Sequence, residues 1–282
     1  MDFYHPGTSV STVRRIRPTS GMAPLNLMDL WKQRELLYFM MRRDLTVRYR
    51  QMALGAIWAI IQPLLTMVVF TVLFGWLAKV PSSGTPYPLF AYVALLPWQL
   101  FASTANSSSA SLVANQHLLS KVAFPRIVLP VSSIAASLSD FLIASLCLLG
   151  MLIYYETVPT GAVVILPILV LITLAAGLGI GLWVSALSVR HRDLRYALPF
   201  CIQIGMFVTP VVYSTNLVPE QWRLLYALNP MAGVVEGFRW ALTGDQAVSP
   251  PMLCLSVVLT GALFFSGLAV FRQRERTLAD MV

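Results

Sequence analysis

The sequence predicts an all-α integral membrane protein: six transmembrane helices, an N-terminal amphipathic interface helix, and short re-entrant helices between spans five and six. Three observations predict it. The 282 residues are 57% hydrophobic and only 11% charged, with a mean hydropathy of +0.72, far more apolar than a soluble domain. Six apolar stretches approach the ~20 residues that a helix needs to cross the hydrocarbon core. All of the 20 Lys and Arg except Lys79, Arg223 and Arg239 then fall on one side of those spans, the side that the positive-inside rule makes cytoplasmic. Both termini are therefore expected in the cytoplasm, and the net charge of +8 is explained without a nucleic-acid partner.

Residues 1–24 carry arginines with no apolar core behind them, so they do not form a secretory signal and are expected to be a disordered cytoplasmic tail. Residues 25–51 follow as the interface helix. At ~100° per residue, Leu30, Trp31, Leu37, Tyr38, Met41 and Leu45 gather in one arc, and Lys32, Glu35, Arg42, Arg43 and Arg50 in another. Arg34 and Arg48 fall inside the apolar arc and would have to snorkel. Such a helix lies in the membrane interface, either as a topology anchor held by anionic lipids or as a functional platform. The six-span domain covers 52–272, with spans at 55–78, 88–113, 127–155, 162–189, 198–213 and 252–271, and 273–282 forms a cytoplasmic tail. Pro63, Pro97, Pro199 and Pro210 kink or interrupt their helices.

Between spans five and six, "LVPEQWRLLYALNPMAGVVEGFRWALTG" holds two helical stretches, 219–227 and 230–242, each too short to cross a bilayer. Pro219 and Pro230 suit first helical positions, Asn229 suits an N-cap, and Gly244 suits a helix end. The pair reads as a re-entrant hairpin in the outer half of the membrane, with a surface-lying pair as the alternative.

Polar residues within spans are the candidates for chemistry. Asp140 would cost about 2.5–3.5 kcal/mol facing lipid, so it faces protein or water, as a structural hydrogen-bond partner or as a proton relay. "STANSSSAS" from Ser103 and the Gly177-x-x-x-Gly181 pattern are small-residue faces for helix packing, although a hydroxyl-rich face also suits a polar path. Trp58, Gln62, Trp98, Phe101, Gln203, Phe207 and Tyr213 are the candidate lining of a translocation path. Aromatics of this kind also form ordinary interfacial belts.

Cys147, Cys201 and Cys254 all fall in apolar runs, without a C-x-x-C, and no zinc-type spacing or other metal site is expected. No phosphate-binding G-x-x-x-x-G-K-[ST] is present, nor a Ser/His/Asp set, so the chain is expected to be a passive pathway driven by something else and not itself an enzyme.

Five segments in order, "RYRQMALGAIWAIIQPLLTMVVF", "LLSKVAFPRIVLP", "SVRHRDLRYALPF", "FVTPVVY" and "LNPMAGVVEGFRW", resemble the type-2 ABC-exporter permeases that move lipid-linked O-antigen, capsule or teichoic-acid polymers. The resemblance covers nearly all of the chain from Leu30 to Arg272. It implies a permease in the bacterial inner membrane that pairs with a second copy of itself and with two ATP-hydrolysing subunits. ATP and magnesium would belong to those subunits, with no cofactor in this chain, and the cargo would be an undecaprenyl-pyrophosphate-linked glycan. Lys121, Phe124, Pro125 and Arg126 in one cytoplasmic loop, and Arg192 and Asp193 in another, are placed to receive the motion of the ATPase. Arg48, Tyr49 and Arg50 are expected to meet the lipid-pyrophosphate headgroup, since guanidinium forks match phosphate oxygens. Positions 48 and 50 point about 200° apart on a helix, so a shared grip needs a break near Gln51 or an arginine from the second copy. Two other readings remain: a glycosyltransferase or ligase acting on polyprenyl-linked sugars, and a proton-driven flippase resting on Asp140.

Overall fold

Apolar side chains without β-branched alternation, interrupted by proline and glycine, give helices throughout. In the computed structural model, which describes residues 33–50, 57–82, 84–119, 121, 124–188, 191–244 and 249–279, the main elements are α1 (Arg34–Arg50), α2 (Trp58–Phe70), α3 (Tyr87–Ala114), α4 (Val128–Ser132), α5 (Ile134–Tyr154), α6 (Leu166–Ser188), α7 (Leu194–Val208), α8 (Glu220–Ala227), α9 (Pro230–Thr243) and α10 (Pro250–Ala279). No strand occurs among the described residues. The expected tail over 1–24, the first part of the interface helix and the start of span one at Gly55 lie outside them.

Among the described residues, five helical stretches are long and apolar enough to cross a bilayer: Trp58–Leu77, Tyr87–Ala114, Val128–Tyr154, Gly161–Ser188 and Pro250–Arg274. The expected fifth span, over 198–213, is instead the 15-residue α7, Leu194–Val208. At ~1.5 Å per residue it covers about 22 Å, short of the ~30 Å hydrocarbon core. Pro210 is the reason it stops. The residue before a proline is pushed out of the helical region, and Thr209 is extended at φ −90°, ψ 147°.

The longest buried helix organises the rest. α3 is buried along most of its length, with Leu89, Ala91, Tyr92, Val93, Ala94 and Leu95 fully enclosed, and packs against α2, α5, α6, α7 and α9. Small residues set the closest approach. A Cβ added to Gly181 of α6 would lie 2.4 Å from the Ser108 Cβ of α3, and one added to Gly267 of α10 would lie 2.4 Å from the Gly179 carbonyl oxygen. Backbones this close leave no room for side chains, which is the packing role expected of the 177–181 glycines. Asn229 caps α9 by accepting from the Met231 amide at 3.0 Å, and Gly244 ends it in the left-handed region at φ 72°, both as the sequence predicts.

α9 is not a surface helix. It packs among α3, α6 and α10, with Met231 to Val235, Phe238 and Arg239 buried. Arg239, only 6% exposed, donates to the carbonyls of Val211 (2.7 Å) and Tyr213 (3.1 Å) and lies 3.6 Å from the centre of the Phe90 ring. A cation that the sequence places in an outer loop is thus a brace for the chain leaving α7. Its charge is satisfied by carbonyl dipoles and an aromatic face, the combination a buried guanidinium needs.

Candidate functional site

Three helices and the end of a fourth enclose the chain's polar interior. The face of α3 that carries Gln99, Ser103, Asn106 and Ser107 lies opposite Gln62 and Pro63 of α2 and Ser137, Asp140 and Phe141 of α5, and Arg48 of α1 sits beside Asp140. They surround a cleft of about 360 Å³. The spacing on α3 explains how one serine-rich stretch serves two purposes. Gln99, Ser103 and Asn106 recur at i, i+4, i+7 and face the cleft, whereas Thr104, Ser108 and Ser111 recur on an adjoining face and are buried in helix contacts. A packing face and a polar face, weighed as alternatives from sequence, occupy different sides of the same helix.

Asp140 is held by two residues of α1. Arg48 forms an ion pair with Asp140 Oδ2, and the Tyr49 hydroxyl donates to Oδ1 at 2.7 Å. Burial, and then the hydrogen bond to Asp140, push the Tyr49 phenol above its usual range, so it remains a donor. Arg50 is exposed and points elsewhere, consistent with the ~200° separation expected on a continuous helix. Of the three residues expected at a headgroup, the structure therefore brings Arg48 and Tyr49 together on one carboxylate and leaves Arg50 apart.

Further back along α1, a second set of contacts ties it to the end of α3 and to α4. Arg43 pairs with Asp44 (2.8 Å) and donates through Nη2 to Asn115 Oδ1 (2.7 Å), while Ser132 Oγ donates to Asp44 Oδ2 (3.1 Å). Met40 is buried with Leu112, Ile127, Leu129 and Phe271, and Leu36 and Leu37 pack on that cluster. α1 seats its Leu36, Leu37 and Met40 side on protein, so of the expected apolar arc Leu37 is packed while Tyr38 is 67% exposed.

The expected coupling residues sit at the loop ends. Lys121 is exposed, Phe124 packs on the α1 cluster, and the carbonyls of Pro125 and Arg126 accept the first amides of α4. Arg192 and Asp193 are exposed ahead of α7, where the Asp193 carbonyl accepts from Ala197 at 2.9 Å. The expected path residues separate. Gln62 lines the cleft, and Trp58, Gln203 and Phe207 are exposed on α2 and α7. Trp98 and Phe101, each 5% exposed with ring centres 5.2 Å apart, lie in the core away from the cleft. Tyr213 accepts from the Tyr226 hydroxyl at 3.3 Å. Sequence reasoning did not single out Gln99, Asn106, Ser107 or Ser137 individually. The signal for three of them was the i, i+3, i+4 recurrence within an apolar helix. Among the described residues, no cluster of His, Cys, Asp or Glu is suited to a metal ion.

Comparison with known proteins places this architecture. The chain is 29% identical over 259 residues to the O-antigen export system permease protein RfbA of Myxococcus xanthus, covering 90% of this chain and 98% of that one. It is 27% identical over 249 residues to the protein of the same name from Klebsiella pneumoniae, covering 88% and 95%. It is 26% identical over 244 residues to the polysialic acid transport protein KpsM of Escherichia coli, covering 84% and 92%. The profile of the ABC-2 type transporter family matches residues 35–243, which span α1 through α9, and this multi-pass membrane protein belongs to that family.

Proposed function

We propose that the chain is the permease subunit of an ATP-driven exporter that carries a polysaccharide, linked to undecaprenyl pyrophosphate, from the cytoplasmic to the outer side of the bacterial inner membrane. The observation that carries this reading is near full-length similarity to permeases named for O-antigen export, joined to a polar cleft inside an otherwise apolar bundle. Backbone and side-chain polarity at that depth is stable only against protein or water. A glycan is the kind of cargo that needs such surroundings.

Two copies of the chain would enclose the path, and two partner subunits would bind and hydrolyse ATP with magnesium. Their motion would enter through Lys121, Phe124, Pro125 and Arg126 and through Arg192 and Asp193. α7 would serve as the fifth passage and α8 and α9 as the re-entrant element before the sixth, α10, with both termini cytoplasmic. The pyrophosphate would be met at the exposed Arg50, outside the cleft, beside Arg48 and Tyr49, which stay on Asp140. A proton-driven route gains nothing from Asp140, whose carboxylate oxygens are both engaged by α1.

Deleting the gene tests this directly. Surface polysaccharide should disappear while lipid-linked polymer accumulates inside, and export should return only when the chain is supplied together with an active ATPase subunit. Normal surface polymer in the deletion strain would overturn the assignment.

A further inference from the structure

The cleft has a chemistry that the export reading does not by itself specify. Four of its side chains, Gln62, Gln99, Asn106 and Ser107, line the space and have no hydrogen-bond partner among the described residues. Three are carboxamides, each offering two N–H donors and an acceptor oxygen. By contrast, Ser103 and Ser137 satisfy each other at 2.9 Å, and Arg48 is neutralised by Asp140. What is left free is uncharged and able both to donate and to accept. Phe141 contributes an apolar wall, and its ring meets that of Phe238 edge-on at 6.3 Å, which fixes its orientation.

This set discriminates between the two halves of a lipid-linked glycan. A pyrophosphate would bring negative charge against Asp140 and find its one nearby guanidinium already paired. Sugar hydroxyls, each donor and acceptor at once, match free carboxamides, and the C–H face of a pyranose matches an aromatic wall. The volume, about 360 Å³, is at the small end of ligand pockets and suits one or two sugar rings rather than a folded polymer.

We propose that the cleft between α2, α3 and α5 is a sugar-binding station at the cytoplasmic side of the path. Gln62, Gln99, Asn106 and Ser107 exchange hydrogen bonds with the hydroxyls of an uncharged pyranose unit, and the Arg48–Asp140 pair closes the inner end. This inference rests on the export reading above. It adds that the chain itself selects hydroxyl-bearing units next to the lipid anchor.

The test uses the full transporter in inverted membrane vesicles, with Cys147, Cys201 and Cys254 replaced by alanine and Ser107→Cys introduced, a change of one atom. A small hydrophilic methanethiosulfonate should modify Cys at 107, and the rate should fall at least several-fold in vesicles from cells that make the lipid-linked polymer, compared with cells lacking its first sugar transferase. Vesicles loaded with glycan-free undecaprenyl pyrophosphate should give no protection. No modification, or protection by the glycan-free lipid, overturns the proposal. In parallel, Gln99→Leu and Asn106→Leu should each lower export by about threefold to tenfold at equal membrane abundance, the loss expected for one neutral hydrogen bond. If export needs the chain yet both leucine variants export normally, the cleft proposal falls alone. If surface polymer is indifferent to the chain, the export reading itself has failed.

Discussion

The tie between α1 and α5 predicts a measurable coupling between Arg48 and Asp140. An exposed ion pair is worth about 0.2–1 kcal/mol, and stripping one partner from a fully buried pair costs about 3–5 kcal/mol. The side chains of Arg48 and Asp140 are 32% and 23% exposed, so solvent screens part of the attraction, and a coupling energy of about 1–2 kcal/mol is expected. Asp140→Ala removes the charge and also the acceptor for the Tyr49 hydroxyl, whereas Asp140→Asn keeps an acceptor in place and should be the milder change. The assay is a double-mutant cycle of Arg48→Ala, Asp140→Ala and the double variant, read by reversible unfolding of the purified chain in detergent-to-SDS titrations. The double variant should be less destabilised than the sum of the singles. Additivity within about 0.3 kcal/mol would refute the view that this pair fastens α1 to the bundle.

The glycine contacts predict sharp position dependence: Gly181→Ala and Gly267→Ala should each cost about 1–3 kcal/mol by overpacking, whereas Gly150→Ala and Gly261→Ala, which point into open space, should leave folding unchanged by the same titration. In a cysteine-free background, Val158→Cys, at an 82% exposed position after span three, should react with an impermeant thiol reagent from outside intact cells and His191→Cys should not; the reverse labelling would invert the topology. Joint replacement of Lys121 and Phe124, or of Arg192 and Asp193, by alanine should leave the transporter in the membrane with ATP hydrolysis intact and export reduced. Normal export per molecule would remove those loops from the coupling pathway.

What was legible in the sequence follows from the range of the interaction involved. Helix ends set by local chemistry were readable: Asn229 as a cap, Gly244 as a stop and Pro230 at a first position depend only on their neighbours. The 177–181 glycines were readable as a packing face because i, i+4 spacing is fixed by the helix itself. The length of the fifth span was not, because hydropathy over 198–213 stays high across Pro210 while the backbone at Thr209 has already left the helix. Asp140 was weighed without a partner because its partners lie 91 and 92 positions earlier in the chain, on a different helix. The protein contacts of that helix, around Met40, depend on residues more than 70 positions away and leave no local pattern to read.

The two anchoring points of α1 carry a mechanical consequence. Asp44 and Arg48 are four residues apart and share a face, about 6 Å along the helix axis. Their partners Ser132 and Asp140 are eight residues apart, about 12 Å along the α4–α5 segment. The first contact is made by a short aspartate and the second by a long arginine, so the two tethers differ in reach. A helix pinned at two unequal spacings cannot roll about its axis without lengthening one contact. Arg43 adds a third tether, to Asn115 at the head of the loop that contains Lys121. A displacement of that loop thus reaches Asp140, on the wall of the sugar-sized cleft, through one rigid helix and no intervening flexible segment. On the export reading, a power stroke applied outside the membrane would open or close the cleft by making or breaking one ion pair, and Arg43→Ala, which cuts the tether without touching the cleft, should uncouple export from ATP hydrolysis as effectively as the loop variants themselves.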